Sequence, residues 1–266
     1  MNRTALLLAG WACLCAATVA HAQNAAGAAA PAGQATEKPS RPFSETLGAG
    51  GSQADTTPTV AATEAPGPAV LEKLPVGANI GPVTRPQVRV GDEWIYRRGQ
   101  GATRVLIRQR VTQVSEEGIS LMTDAAGSTD TSTAVYDREW GLRASGFNTY
   151  APALAYYAFP LYPGKRWGID STVDNFGAGQ ASKLAGEGVA AGFEIVDTQA
   201  GRFVALKVQI TIETTDPGDA ARRVRVRETH WYSRDILRAV KVESVTQIAN
   251  EAPRQETVEL LRYRIE

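Results

Sequence analysis

Cysteine and histidine are almost absent from this chain of 266 residues, which has two of each. Cys13, Cys15 and His21 all fall within the first 22 residues, a segment predicted below to be removed, so only His230 remains. A chain without cysteine forms no disulfide and has no thiolate nucleophile. One histidine cannot build a histidine-rich metal site, and we expect neither a metal nor another cofactor.

An excess of charge of one sign is also missing, because 28 Lys and Arg residues balance 28 Asp and Glu residues. Nucleic-acid binders usually have a clear basic excess, so nucleic acid is excluded as a partner. The chain contains no G-x-S-x-G nucleophile motif, and its glycine-rich pieces "GAGG" and "GAGQ" lack the lysine of a phosphate loop. After the N-terminus no run is apolar enough to span a membrane, so no transmembrane segment is expected in the mature chain.

The N-terminus has the pattern of an export signal. A short basic start, "MNR", precedes the apolar run Thr4–Ala20, and small residues follow in the positions that signal peptidase requires. We therefore predict a cleaved signal peptide over residues 1–22 and a periplasmic mature chain beginning at Gln23. A lipoprotein signal is the alternative, but neither Cys13 nor Cys15 follows the leucine-x-small pattern of such signals.

Residues 23–85 differ in composition from the rest of the chain. They are rich in Ala, Gly, Pro and Thr, with Phe43 as the single aromatic residue. Such a segment buries too little apolar surface to offset its conformational entropy, which predicts a disordered tether. In an alternative interpretation, Ala69–Val83 docks back onto the following domain as an extended strap.

From residue 86 to 266 the pattern is that of β-strands. In Phe203–Thr215 apolar and polar residues alternate, with Val204, Leu206, Val208, Ile210 and Ile212 on one face. Turn signals separate the strands and no amphipathic helix is evident, which predicts an all-β domain built on a curved antiparallel sheet, either a half-barrel or an open barrel. The other long strands are expected at Thr103–Val114, Arg222–Ser233, Ile236–Ile248 and Glu256–Glu266.

The stretch "ETHWYSRDILRAVKVES" (228–244) places histidine, serine and aspartate close together, as in a hydrolase. On a strand, however, His230 and Ser233 point to opposite faces, and Ser233-Arg234-Asp235 has the composition of a turn. A β-hairpin is the favoured interpretation. A hydrolase that uses His230 with another partner is the weakest of the functional alternatives.

Aromatic residues are concentrated in Phe147–Trp167, whose three prolines argue against a regular helix or a central strand. We expect a long loop that either fills the open side of the sheet or lines a cavity for an apolar ligand. The candidate ligand-binding residues are Tyr156, Tyr157, Phe159, Trp231 and Arg225. Trp231 is expected to be the most exposed motif tryptophan, whereas Trp94 and Trp167 are expected to be buried.

Arg225 belongs to a row with Arg223 and Arg227 that could bind an anionic headgroup or glycan. The favoured alternative for this row is a solvated strand face paired with acidic neighbours.

Three motifs, "VGDEWIY", "YPGKRW" and "THWYSRDILRAVKVES", resemble a family of bacterial periplasmic domains of unknown function. That family has G-D-x-W-x-Y, then P-x-x-x-G-x-x-W, then W-Y-S-P-x-x-G-x-x-V-K. Here Arg234 stands at the proline of the last motif and Leu237 at its glycine. The resemblance implies a curved antiparallel sheet, loosely similar to the half-barrel of periplasmic lipoprotein carriers, and it implies no catalytic residues.

These patterns together predict a non-catalytic periplasmic domain that binds an apolar or amphipathic ligand, such as a lipid, or an envelope partner protein. An assembly or structural factor of the cell envelope is the alternative, for which the tether is the informative feature because it extends the reach of the domain.

Overall fold

The computed structural model describes residues 71–74, 80–100, 102–126, 128–129, 131–177, 180–216, 219–249 and 251–266. The predicted signal peptide and most of the predicted tether lie outside these ranges. The described part contains thirteen strands and no helix, and so it offers no helical segment suited to crossing a membrane. The strands are β1 (Leu71–Lys73), β2 (Glu93–Gln100), β3 (Thr103–Val114), β4 (Ile119–Ala125), β5 (Thr131–Tyr136), β6 (Leu142–Ser145), β7 (Asn148–Leu154), β8 (Arg166–Asn175), β9 (Gln180–Thr198), β10 (Gly201–Asp216), β11 (Asp219–Ser233), β12 (Arg238–Ile248) and β13 (Arg254–Arg264).

Strands β2 to β13 form a closed antiparallel barrel. Each strand pairs with its neighbour in sequence, and β13 pairs with β2 to complete the ring, with Val258 opposite Arg98 and Leu260 opposite Tyr96. The prediction of an all-β antiparallel domain is confirmed, but the prediction of a half-barrel or open barrel is wrong. The physical reason is that the last strand satisfies the backbone groups of the first, which leaves neither edge of the ring unpaired.

Alternation along β10 and β11 determines which side chains fill the barrel. On β11 the residues predicted to share one face are all buried, whereas Arg223, Arg225 and Arg227 are exposed. On β10 the predicted inward face is confirmed from Leu206 to Ile212, but Val204 is 38% exposed. Its neighbours Phe203 and Ala205 are buried instead, so the single inward face predicted for this strand does not extend to its first residues. The inward residues of β11 are Val224, Val226, Glu228, His230 and Tyr232.

In the described part of residues 23–85, two backbone contacts with the barrel stand out. Strand β1 pairs with β9, with Leu71 opposite Val196, beyond the region in which β9 pairs with β8. Val83 exchanges backbone hydrogen bonds with Leu161, at N–O distances of 2.7 and 2.8 Å. Both contacts match the extended-strap alternative, although residues 75–79 lie outside the described part.

The aromatic segment is only partly a loop. Its first residues form β7, so the expectation that prolines exclude a central strand here is wrong. The pairing of β7 with β8 ends at Ala151, and Pro152 therefore removes no donor from that ladder. Residues 155–165 then form a covering segment between β7 and β8, in which Tyr156, Tyr157 and Leu161 are buried.

The hairpin between β11 and β12 lies at the same end of the barrel, and two tryptophans hold its turn against the core. Trp94 Nε1 donates to the carbonyl of Ile236 at 2.8 Å, and Trp140 Nε1 donates to the carbonyl of Leu237 at 3.0 Å. The guanidinium carbon of Arg238 lies 4.3 Å from the ring centre of Trp140 and 5.1 Å from that of Trp94. The predicted hairpin is thus confirmed, and Ile236 in its turn is part of the core, whereas Arg234 and Asp235 are exposed.

A third hydrogen bond fixes the start of β12, where the Tyr96 hydroxyl donates to the carbonyl of Ala239 at 3.0 Å. Trp140 has a positive φ of 63°. Its loop is held by Asp137, whose Oδ1 accepts the backbone N–H groups of Glu139 and Gly141 at 2.8 and 2.7 Å. Side chains from β2, the β5–β6 loop and the hairpin therefore lock this end of the barrel together.

Replacing Trp94 by Phe should lower the free energy of unfolding by about 2–4 kcal/mol. The substitution removes the donor to a buried carbonyl and leaves a gap where the larger ring was. Urea unfolding of the purified domain measures the change as a lower midpoint with an unchanged slope. Tyr263→Phe is the control, because this ring is 43% exposed, and a Trp94→Phe midpoint equal to that of the control would contradict the lock.

Candidate functional site

Three of the four predicted aromatic candidates converge on the inward face of β11. Tyr156 and Tyr157 enter from the covering segment and are 0% and 4% exposed, while Phe159 is partly buried beside them. They meet His230, which is itself fully buried. Three of the five predicted binding residues are therefore brought together around His230.

His230 uses both ring nitrogens within the barrel. Nε2 lies 2.9 Å from Oε2 of Glu228, two residues earlier on the same face of β11. Nδ1 lies 2.8 Å from the hydroxyl of Tyr157. If Nε2–H donates to the carboxylate, the neutral ring accepts the Tyr157 proton at Nδ1, which makes the order carboxylate, imidazole, phenol.

Aromatic packing fixes the orientation of this relay. The Tyr156 ring stacks on the imidazole with centroids 5.8 Å apart and an interplanar angle of 19°. Tyr157 meets the imidazole edge-on at 5.6 Å and the Tyr232 ring at 5.1 Å. Phe159 completes the cluster at 5.5 Å from Tyr232. Burial raises the pKa of the Tyr232 hydroxyl far above its ordinary value, so this phenol stays protonated.

The order of groups in the relay is one that moves protons in enzymes, but its burial limits what it can do. Glu228, His230 and Tyr157 are each 5% exposed or less, and the Tyr157 ring packs against those of Phe159 and Tyr232. A nucleophile must reach its substrate, whereas this hydroxyl is bonded to the imidazole inside the packed core. In the described ranges, no three His, Cys, Asp or Glu side chains stand together as a possible metal site.

Trp231 lies on the opposite, outer face of β11, as predicted, but it is 1% exposed, so the expectation of exposure is wrong. Its Nε1 donates to Oε2 of Glu194 at 2.6 Å. The ammonium groups of Lys207 and Lys241 lie 5.5 and 4.8 Å from its ring centre. Neighbouring charged side chains thus surround the ring, because long lysine stems pack along aromatic surfaces.

Two further predicted residues lie apart from the cluster. Arg225 is exposed on the outer face, where its Nε donates to Oε1 of Glu213 at 2.8 Å on the adjacent strand, the arrangement expected of a solvated strand face. Trp167 is partly buried and donates to the carbonyl of Ala155 at 3.1 Å. Its ring occupies the space above Gly188, where a Cβ would come within 2.1 Å of it.

The covering segment also presents an outer ledge, which we define as Phe159, Pro160 and Tyr162. Phe159 is partly buried, Pro160 is exposed and Tyr162 is 49% exposed. Lys165 fixes the backbone of the ledge by donating to the carbonyl of Pro160 at 2.9 Å and also to that of Ala158. The same ammonium lies 5.8 Å from the ring centre of Tyr162.

Sequence reasoning missed Trp140 and the role of Glu228. Trp140 stands in "DREWG", whose aspartate is a recognisable turn signal because it precedes the N–H groups that it caps by two and four residues. Nothing in this pattern, however, indicates that Trp140 bonds to residue 237. Glu228 is a charged residue on an apolar strand face two positions from a histidine, and that spacing could have indicated the pair.

Comparison with known proteins leaves the chain unassigned. Its sequence matches no family model and no curated protein. Among solved structures it is similar to a candidate lipoprotein of Parabacteroides distasonis, with 14% identity, a TM-score of 0.45, and coverage of 70% of this chain and 100% of the other. It is similar to a candidate exported protein with a YmcC-like fold from Bacteroides fragilis, with 14% identity, a TM-score of 0.45, and coverage of 69% and 100%. A third structure, the hypothetical lipoprotein YmcC of Escherichia coli, has 13% identity, a TM-score of 0.39, and coverage of 66% and 90%. Likenesses at this level assign neither a family nor a function.

Replacing His230 by Gln should destabilise the domain by about 3 kcal/mol, because one amide cannot satisfy both Glu228 and Tyr157 and leaves a buried carboxylate without its partner. Urea unfolding measures the loss. Tyr157→Phe removes only one of the two bonds and should cost about half as much. If both variants are as stable as the unmodified protein, the relay is not part of the structural core.

Proposed function

We propose that this chain is a non-catalytic exported domain that binds an apolar or amphipathic ligand, or an envelope partner, through the outer ledge. The binding end is the one covered by residues 155–165. The barrel wall and the buried half of the segment act as a rigid support for a small apolar surface.

The observation that carries this proposal is the division of the covering segment into two halves. Tyr156 and Tyr157 are buried against His230, whereas Pro160 and Tyr162 stand in solvent. Apolar side chains exposed on a segment that is otherwise part of the core do not contribute to its folding. Proline and the two Lys165 bonds limit the motion of the ledge, which lowers the entropy lost when a ligand binds.

The interior offers less support for ligand contact than the ledge does. The aromatic candidates at the centre of the cluster have their rings packed against one another, and Tyr157 and His230 have their polar atoms bonded within the barrel. A ligand that displaced these groups would break bonds in the core. Contact at the ledge requires no such rearrangement, because Tyr162 already faces solvent.

The relay of Glu228, His230 and Tyr157 favours a second candidate, a hydrolase that uses His230. Its groups have suitable types and distances. The same groups are buried to 5% exposure or less, which favours a structural role. Under the hydrolase alternative, His230→Gln abolishes an activity while the folded domain keeps its stability, which is the opposite of the result expected above.

The ledge is tested with Tyr162→Ser in the processed chain, using the hydrophobic dye bis-ANS as the probe. The unmodified protein should bind the dye saturably, and the variant should bind it about tenfold more weakly because a major apolar contact is lost. Leu106→Ser is the matched control, since Leu106 is 45% exposed on β3, away from the ledge. Organic extraction of the purified protein followed by mass spectrometry should release an amphiphile.

The proposal fails if the unmodified protein shows no saturable dye binding and yields no extractable amphiphile. It also fails if Tyr162→Ser and Leu106→Ser weaken dye binding equally, because the dye would then be reporting general surface apolarity.

A further inference from the structure

Two phenylalanines project from neighbouring turns at the end of the barrel opposite the ledge. Phe147 lies in the turn between β6 and β7 and is 70% exposed, and Phe176 lies in the turn between β8 and β9 and is 68% exposed. Strand β7 is seven residues long, and it begins next to Phe147 and ends where the covering segment begins. The two apolar surfaces are therefore separated by the length of a strand, roughly 20 Å or more.

The two turns are joined into one surface. The backbone N–H of Phe176 donates to the carbonyl of Phe147 at 3.0 Å. The side-chain Nδ2 of Asn175 donates to Oδ1 of Asn148 at 2.8 Å. These two residues pair with each other in the ladder between β7 and β8, next to the two phenylalanines in the chain. A Cβ built on Gly177 would lie 3.8 Å from the Phe147 ring, so the second turn touches the first ring.

The Phe147 ring is not required by the turn that carries it. Ser145 pairs with Asn148, which leaves Gly146 and Phe147 as a two-residue hairpin turn, and Gly146 has the positive φ of 58° that such turns need. The second position of a turn of this kind is usually polar or glycine. An aromatic ring that is 70% exposed there contributes little to folding, and a second one stands beside it.

The size and charge of this surface decide what it can bind. Two rings of this type expose roughly 300 Å² together, whereas a stable protein interface buries about 800 Å² on each partner. A bilayer accepts a pair of protruding rings without a complementary surface, since apolar side chains enter the boundary between headgroups and acyl chains. The adjoining strand ends carry charges of both signs, Asp174 on β8 and Lys183 on β9, and so do not form a basic cluster.

We propose that Phe147 and Phe176 form a membrane-contact tip that inserts into the headgroup boundary of a lipid bilayer. The occupant is the bilayer surface itself, recognised by apolar insertion and not by attraction to anionic headgroups. Asn148 and Asn175 then lie at the level of the polar headgroups. The tip holds the barrel with the outer ledge facing away from the membrane.

The test is co-sedimentation of the full processed chain with vesicles of phosphatidylcholine alone and with added phosphatidylglycerol, at low and high sodium chloride. The unmodified chain should bind both kinds of vesicle with little effect of salt. The double variant Phe147→Ser, Phe176→Ser should partition at least about tenfold more weakly. Val90→Ser is the control, because Val90 is 58% exposed outside the tip, and it should bind as the unmodified chain does.

Three kinds of result would overturn the proposal. The first is a failure of the binding assay itself, in which the unmodified chain binds neither kind of vesicle or the double variant binds as well as the control. The second is binding that requires phosphatidylglycerol and disappears at high salt, which indicates electrostatic adsorption. The third is concentration-dependent self-association in sedimentation velocity that the double variant loses, which makes the tip a contact between copies. None of these three kinds of result depends on bis-ANS binding at Tyr162. The proposal of a membrane-contact tip and the proposal of ligand binding at the ledge can therefore fail separately.

Discussion

The hydrogen bonds from two indole N–H groups to the hairpin carbonyls are the interaction on which the rest of this barrel depends. Trp94 comes from β2 and Trp140 from the loop between β5 and β6, and both donate to the turn between β11 and β12. A buried carbonyl without a partner costs about 1–3 kcal/mol, so the turn stays packed against the core only while both donors are in place. Arg238, stacked on the same two rings, adds a cation–π contact that needs the same packing.

Closing that end of the barrel has consequences for the neighbouring groups. With the turn packed against the core through Ile236, Tyr232 and His230 face the covering segment, and the Tyr157 hydroxyl reaches the imidazole of His230. The polar relay is therefore a product of the packing that surrounds it, and its burial follows from the same contacts. Binding surfaces then lie where apolar groups remain outside this packing, at the ledge around Tyr162 and at the tip that carries Phe147 and Phe176.

Strand faces could be predicted because side chains alternate across a strand whatever its partners are, and the inward face of β11 from residue 224 to 232 is an example. Closure of the barrel could not be predicted, since the pattern within one strand does not show whether the first and last strands of the sheet pair with each other. The first part of β9 was missed because its alanines and glycines have low strand propensity, although Gly188 is needed to accept the ring of Trp167.

Burial was harder to predict than orientation. Trp231 points to the outer face as its position requires, but it is covered by side chains from three other strands, Glu194, Lys207 and Lys241. The long-range pairing of Trp140 with Leu237 also escaped prediction, because the two residues are 97 positions apart and only the folded barrel brings them together.

Amide hydrogen exchange of the hairpin residues 234–241 tests the central claim most directly. If the two tryptophans hold the turn as part of the core, the amides of Ile236 to Lys241 open only with global unfolding, and those that are hydrogen-bonded exchange as slowly as the protected amides of β10. The double variant Trp94→Phe, Trp140→Phe should then lose this protection. Fast exchange in the hairpin of the unmodified protein, with β10 still protected, would show that the turn opens independently and would contradict the account.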